Sequence, residues 1–83
     1  MEMRNFGSKL RRLRKSKGIT LKELAHDLGY STHSYLSEVE SGRKIPTAGL
    51  ILKVSRYFDV PTDILMKDEY ELIIDEEIGE DNE

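Results

Sequence analysis

The sequence predicts an all-α fold, a compact bundle of five short helices followed by an acidic C-terminal tail. Apolar residues recur at helical spacing through most of the chain, and no sustained strand-like alternation precedes residue 70. Gly and Pro residues fall between these periodic stretches, where they end or begin helices. A chain of 83 residues also has the length of one small domain with a single core.

The first two helices have boundaries marked by glycine and by a capping pattern. Phe6, Leu10 and Leu13 lie on one stripe of a first helix that Gly18 ends, because glycine accepts the left-handed conformation past a helix C-terminus. Residues 20–23, Thr-Leu-Lys-Glu, are a capping box that begins the second helix. The inward residues of this helix are Leu24, Ala25 and Leu28, and Gly29 ends it.

A third helix is predicted from about Thr32 to Ser41, where Gly42 stops it. Residues 30–32 form the turn that separates it from the second helix. Two helices joined by so short a turn make a helix-turn-helix at the centre of the bundle.

The last two helices follow a basic loop, residues 43–46. Thr47 can cap a fourth helix, and Pro61 or Thr62 begins a short fifth helix that ends near Lys67. Their inward residues are Leu50, Ile51, Val54 and Phe58 in the fourth helix and Ile64 and Leu65 in the fifth. We therefore divide the chain into a helical domain, residues 1–67, and a tail, residues 68–83.

The net charge of −3 conceals two oppositely charged parts. Residues 1–67 hold all 13 Lys and Arg against 7 Asp and Glu, a net charge of +6. Residues 68–83 hold 9 acidic residues and no basic one, a net charge of −9. This division is typical of a basic nucleic-acid-binding domain followed by an acidic tail, although a solvated surface with a disordered terminus has the same composition.

The tail has three interpretations. It is a disordered solubilising terminus, a strand or helix that pairs two protomers, or a segment that binds back over the basic surface as a mimic of DNA. Pairing is favoured, because Tyr70, Leu72, Ile73 and Ile74 put four apolar side chains among five residues. The spacing fits a strand and a helix equally.

Several classes of function are not expected. With no cysteine, the chain has neither a disulfide framework nor a thiolate metal site. Charge within the first four residues and the lack of an apolar run of roughly 18 to 20 residues predict no signal peptide and no membrane span, hence a cytoplasmic protein. His26 and His33 have no carboxylate at ligand spacing, and no glycine-rich phosphate loop or Ser-His-Asp set is evident. We therefore expect no metal, no cofactor, no small-molecule ligand and no enzymatic activity.

Two charged residues are predicted to face the core. Arg14 lies four residues after Leu10, and Glu40 lies four residues after Leu36. A charge buried alone is costly, so we predict an ion pair between Arg14 and Glu40, the alternative being that both ends reach solvent.

The order of residues resembles the lambda-repressor-like, or Cro/XRE-type, helix-turn-helix domains. The resemblance covers residues 6–66 and rests on a set of short matches: Leu10-Arg11 and Arg14, Lys17 to Thr20, Glu23 to Ala25, Gly29, Leu36-Ser37, Val39-Glu40, Gly42 and Pro46. It implies a domain that binds double-stranded DNA with the second helix of the motif in the major groove, and it implies the same Arg14 to Glu40 pair.

Two positions depart from this family. Leu21 stands where the family usually has a Gln that touches a phosphate, so Lys22 or the backbone N–H groups of that helix must serve instead. The stretch from Gly29 to Leu36 is one residue longer than usual, which extends the turn.

The outward face of the third helix is predicted to read bases. With Leu36 and Val39 inward, its short polar side chains suit close approach to base edges. His33 would donate to guanine, and Glu38 would accept from cytosine. The serine hydroxyls can donate or accept, so they suit either kind of base edge. The expected base contacts are His33, Ser34, Ser37 and Glu38, with Ser41 on the same face.

Phosphate contacts are expected around this helix, where they supply much of the affinity. The expected residues are Lys22, Thr32, Tyr35 through its hydroxyl, Arg43 and Lys44. On the first helix, Lys9, Arg12 and Lys15 fit a DNA contact and a solvated face equally well.

The first functional hypothesis is a sequence-specific transcriptional regulator, a repressor in preference to an activator, that binds a pseudo-palindromic operator as a homodimer. The alternative is a protein-interaction module, such as an antitoxin or an anti-repressor-like partner, that acts through the acidic tail.

Overall fold

A computed structural model of the chain describes residues 3–72, so the tail from residue 73 lies outside the described part. Five α-helices and no strand occur in residues 3–72, which confirms the predicted all-α bundle. The helices are α1 (Phe6–Lys17), α2 (Leu21–Leu28), α3 (Ser34–Glu40), α4 (Ala48–Phe58) and α5 (Thr62–Met66). None of these helices is long and apolar enough to cross a membrane.

The predicted helix ends are largely confirmed. Gly18 and Gly29 follow α1 and α2 in the left-handed conformation, with φ of 73° and 89°. At the start of α2 the Thr20 hydroxyl accepts from the Glu23 N–H at 3.0 Å, and the Glu23 carboxylate accepts from the Thr20 N–H at 2.8 Å. Thr47 caps α4 by accepting from the Leu50 N–H at 3.1 Å.

Helix α3 is shorter than the predicted span from Thr32 to Ser41. It runs from Ser34 to Glu40, with His33 and Ser41 as its flanking residues. The Thr32 hydroxyl accepts from the Ser34 N–H at 3.4 Å, a local bond that competes with helix formation in this turn. The turn between α2 and α3 therefore includes Thr32 and His33.

The helices enclose one hydrophobic core. Helix α1 packs against α3 and α5, α2 packs against α3 and α4, and α4 packs against α5. The largest fully buried side chains come from every helix: Phe6, Leu10, Leu24, Leu36, Val39, Leu50, Val54 and Leu65.

Gly7 permits the close approach of α1 to the C-terminal end of α3. A Cβ atom at this position would overlap the carbonyl oxygen of Val39 and lie 2.9 Å from that of Glu40. The obstacle is backbone, which cannot rotate away as a side chain does. Gly7 is therefore a packing residue, which the sequence analysis did not identify.

Lys9 is a buried cation inside the bundle. Its Nζ donates to the carbonyl oxygens of Ile64 at 2.6 Å and Lys67 at 2.9 Å, at the C-terminal end of α5. Burial lowers the pKa of Lys9, while Asp68 and Glu69 act in the opposite direction. Lys9 is only 5% exposed and its ammonium is held by two carbonyl groups at the end of α5, so the structure does not favour the suggested contact with DNA.

The first residues of the tail pack on the helical domain. The Asp68 carboxylate accepts from the N–H groups of Arg4 at 3.0 Å and Asn5 at 2.9 Å, just before α1. The hydrogen bond from Asn5 is the main cause that lowers the pKa of Asp68. Leu72 is buried in the core of its own chain, so it is not available for pairing two protomers.

Replacement of Gly7 by Ala should destabilise the fold by about 1–3 kcal/mol, because α1 and α3 must separate to admit the methyl group. Urea unfolding measures the change. Gly49→Ala is the matched control: its Cβ would meet nothing closer than the Thr47 hydroxyl at 3.8 Å, so stability should rise by about 0.5–1 kcal/mol. Equal effects of the two substitutions would contradict the packing role of Gly7.

Replacement of Lys9 by Met should cost about 2–3 kcal/mol, because two buried carbonyl groups lose a charged donor. Lys15→Met, on the exposed side of the same helix, should change stability by less than about 0.5 kcal/mol. Thermal and urea unfolding of both variants provide the comparison. A Lys9→Met variant as stable as the Lys15→Met control would show that Lys9 contributes nothing.

Candidate nucleic-acid interface

One side of α3 packs into the core and the other faces outward. Leu36 and Val39 are buried, in agreement with the predicted orientation of this helix. On the opposite side, His33 and Ser34 are exposed, and Ser37 and Glu38 are half-buried. The four candidate base-reading residues therefore lie together on a single accessible surface, which we call the α3 face.

The basic loop after α3 folds back onto the end of the helix. The backbone N–H groups of Arg43 and Lys44 both donate to the carbonyl oxygen of Glu38, at 2.9 and 3.2 Å. The Nε of Arg43 donates to the Ser41 hydroxyl at 3.3 Å. These bonds hold two exposed cations beside the α3 face.

Glu38 and Lys44 form an ion pair on this surface, with Nζ and Oε1 3.3 Å apart. Both side chains are partly exposed, so the pair adds little to stability. Its effect on the charge of the face is larger. A lone carboxylate here would be repelled by DNA phosphates, and the Lys44 ammonium offsets that charge.

Tyr35 links α3 to the start of α4. Its hydroxyl oxygen accepts from the Thr47 N–H at 2.9 Å, and the hydroxyl hydrogen is still able to donate to a phosphate. Its ring packs against Tyr30 with centroids 5.8 Å apart, and the Lys53 ammonium lies 4.5 Å from the Tyr30 ring. Tyr35 therefore has a structural role that sequence reasoning did not identify.

The ion pair expected between Arg14 and Glu40 is present and nearly buried. Nε of Arg14 donates to Oε2 of Glu40 at 2.8 Å, Nη2 donates to Oε1 at 3.3 Å, and Nη1 donates to the Ile19 carbonyl at 2.9 Å. The two side chains are only 13% and 6% exposed. One guanidinium thus joins α1, the loop before α2 and the end of α3.

The remaining candidate phosphate contacts flank the α3 face. Lys22 is exposed in the first turn of α2, and Thr32 is exposed in the turn before α3. Leu21, at the position where a Gln was expected, is half-buried and packs against the core. Its side chain therefore supports the fold, and Lys22 is an exposed cation in the first turn of α2.

The fold and this surface define a helix-turn-helix domain with its second helix presented outward. The family profile described as Helix-turn-helix, HTH_3, matches residues 10–65. A Bacillus subtilis (strain 168) protein named "Uncharacterized HTH-type transcriptional regulator YazB" is 35% identical over 65 residues, which cover 78% of this chain and 93% of that protein. No solved structure gives a significant match. The chain belongs to the helix-turn-helix family, and the resemblance to Cro/XRE-type domains is confirmed.

Replacement of Glu40 by Gln should destabilise the protein by about 3 kcal/mol, because it leaves the Arg14 guanidinium nearly buried without its counter-charge. Glu38→Gln, which breaks the exposed pair with Lys44, should cost less than about 1 kcal/mol. Urea unfolding of both variants at neutral pH tests the difference. A small, equal loss in both would mean that the Arg14 to Glu40 pair does not hold α3 in place.

Proposed function

We propose that this chain is a sequence-specific transcriptional regulator, a repressor that binds a pseudo-palindromic operator as a homodimer. The observation that carries the proposal is the α3 face: short polar side chains on an accessible helix surface, bordered by the cations of the loop that follows it. Family membership supports DNA binding. The Bacillus relative, named as a transcriptional regulator, supports a regulatory role.

In the proposed complex, α3 enters the major groove with the α3 face toward the bases. His33 donates to guanine N7 or O6, and Glu38 accepts from the amino group of cytosine. Ser34 and Ser37 donate or accept according to the base they meet. None of these four is an Arg, Asn or Gln that makes a bidentate pair, so each base contributes modestly and the shape of the DNA contributes to specificity.

Phosphate contacts orient the domain on the duplex. Lys22 and Thr32 reach one side of the groove, and Arg43 and Lys44 reach the backbone beyond the end of α3. Tyr35 donates its hydroxyl hydrogen. Because Lys44 also pairs with Glu38, one side chain serves both the phosphate contact and the placement of a base-reading carboxylate.

Two copies would place their α3 helices in successive major grooves. For helix-turn-helix dimers the half-sites lie about 34–36 Å apart, one turn of DNA, and the two-fold symmetry of the protein matches that of the operator. Occupation of such a site blocks transcription without any catalytic step, cofactor or inducer. We accordingly propose a cytoplasmic, non-enzymatic protein.

DNA binding by single variants tests this proposal. Selection of genomic fragments with the purified protein yields the operator, and fluorescence anisotropy then compares operator with random duplex at several salt concentrations. His33→Ala should weaken operator binding about fivefold or more and leave random binding unchanged, because a base contact is lost. Arg43→Ala should weaken both and reduce the salt slope by about 1.

Two results would contradict the proposal. One is the absence of binding to any duplex at low salt, and the other is binding that does not weaken as salt rises. A selected motif without two-fold symmetry would contradict the homodimer.

A further inference from the structure

Helix α4 has an apolar strip on its outward side. Leu50, Ile51 and Val54 face the core, whereas Leu52 is 47% exposed on the opposite side of the helix. Ile45, two residues before the Thr47 cap, is 79% exposed, the largest exposure of a large apolar side chain among residues 3–72. Ala48, one helical turn before Leu52, is also exposed, and these two residues together with Ile45 of the preceding loop are what we call the α4 stripe: Ile45, Ala48 and Leu52.

The α4 stripe lies in a basic stretch of the chain. No acidic residue occurs between Glu40 and Asp59, and this interval holds four cations, Arg43, Lys44, Lys53 and Arg56, all exposed. A ligand for this surface would therefore combine apolar side chains with negative charge.

The end of this chain has that composition. Residues 73–83 contain three isoleucines, at 73, 74 and 78, together with six acidic residues and no basic one. Ile73 and Ile74 come first, and Ile78 lies between two groups of acidic residues, 75–77 and 80–83, of which Asn82 is the one uncharged member.

The tail leaves the described domain close to α4. Leu72 is buried beside the connection between α4 and α5, where it lines a shallow pocket with Val60, Pro61 and Ile64. Helix α4, 11 residues long, measures about 16 Å. An extended chain covers about 3.3 Å per residue, so residues 73–83 reach up to about 36 Å from Leu72 and can span the helix from its C-terminal end to the basic loop.

From these four observations we propose that residues 73–83 dock on the α4 stripe of the same chain and carry negative charge to Arg43 and Lys44. Tethering favours this over binding by a second copy, because a short linker gives an effective concentration in the millimolar range. The proposal rests on the proposed function for its consequence: tail and DNA phosphates compete for the same cations, so the tail weakens DNA binding. By thermodynamic linkage, bound DNA weakens docking of the tail by the same factor by which the docked tail weakens binding of DNA.

Docking is tested without DNA by a spin label on the tail. The chain has no cysteine, so Asn82→Cys creates a single labelling site and keeps every tail charge. The label should broaden the backbone amide signals near Leu52 and Ile45 in the NMR spectrum of the full chain. Arg56→Glu should reduce this broadening, while Arg11→Glu, the same change of charge on exposed α1, should not.

Two outcomes would overturn the docking. One is broadening of neither residue. The other is equally strong broadening when labelled, unenriched protein is mixed with unlabelled, enriched protein, which would mean that the tail binds a second copy.

The regulatory consequence is tested by truncation after Leu72, which keeps the buried leucine. The truncated chain should bind DNA about tenfold more tightly than the full chain at low salt, with the gain shrinking as salt rises. Arg56→Glu should raise the affinity of the full chain for DNA more than it raises that of the truncated chain. Equal affinity of full and truncated chains would refute autoinhibition. If neither chain binds DNA, the proposed function fails, while the spin-label result still decides the docking.

Discussion

The C-terminal end of α3 is the point on which the rest of the structure depends. There the Glu40 carboxylate accepts two hydrogen bonds from Arg14. At the same end, Gly7 lets α1 come against the carbonyl groups of Val39 and Glu40. Both contacts, the nearly buried ion pair and the close packing of one backbone on another, form only when α1 and α3 have one particular relative position. A helix of only 7 residues has little stability of its own, so these tertiary contacts keep α3 formed and aimed outward.

The contacts at this end continue into the candidate DNA-binding surface. The carbonyl of Glu38 holds the backbone of the basic loop, and the Tyr35 hydroxyl holds the N–H of Thr47 at the start of α4. The backbone of the basic loop is thus attached to α3, the helix that carries the candidate base-reading side chains. A binding surface that is already arranged before DNA arrives loses less conformational freedom on binding.

The chain changes from basic to acidic where the helical domain meets the tail. The residues at this junction are held by hydrogen bonds to the domain. Lys9 reaches from α1 to the carbonyl groups at the end of α5, while Asp68 reaches back to the N–H groups before α1. Each charge lies where the free backbone groups of a helix end have the opposite polarity. The tail therefore begins from a defined place on the domain.

The sequence by itself determined the all-α class, the number of helices and most of their ends, because capping boxes, left-handed glycines and apolar periodicity act over a few residues. It also indicated the Arg14 to Glu40 pair, since two charges on core-facing stripes need each other. The later start of α3 has a local cause, the hydrogen bond from the Ser34 N–H to the Thr32 hydroxyl, which apolar periodicity does not show. Only the tertiary structure decided the roles of Gly7, Lys9 and Tyr35. The partners of those three residues lie on other helices or in the turns and caps beside them, and neither composition nor local spacing predicts a contact made across the bundle.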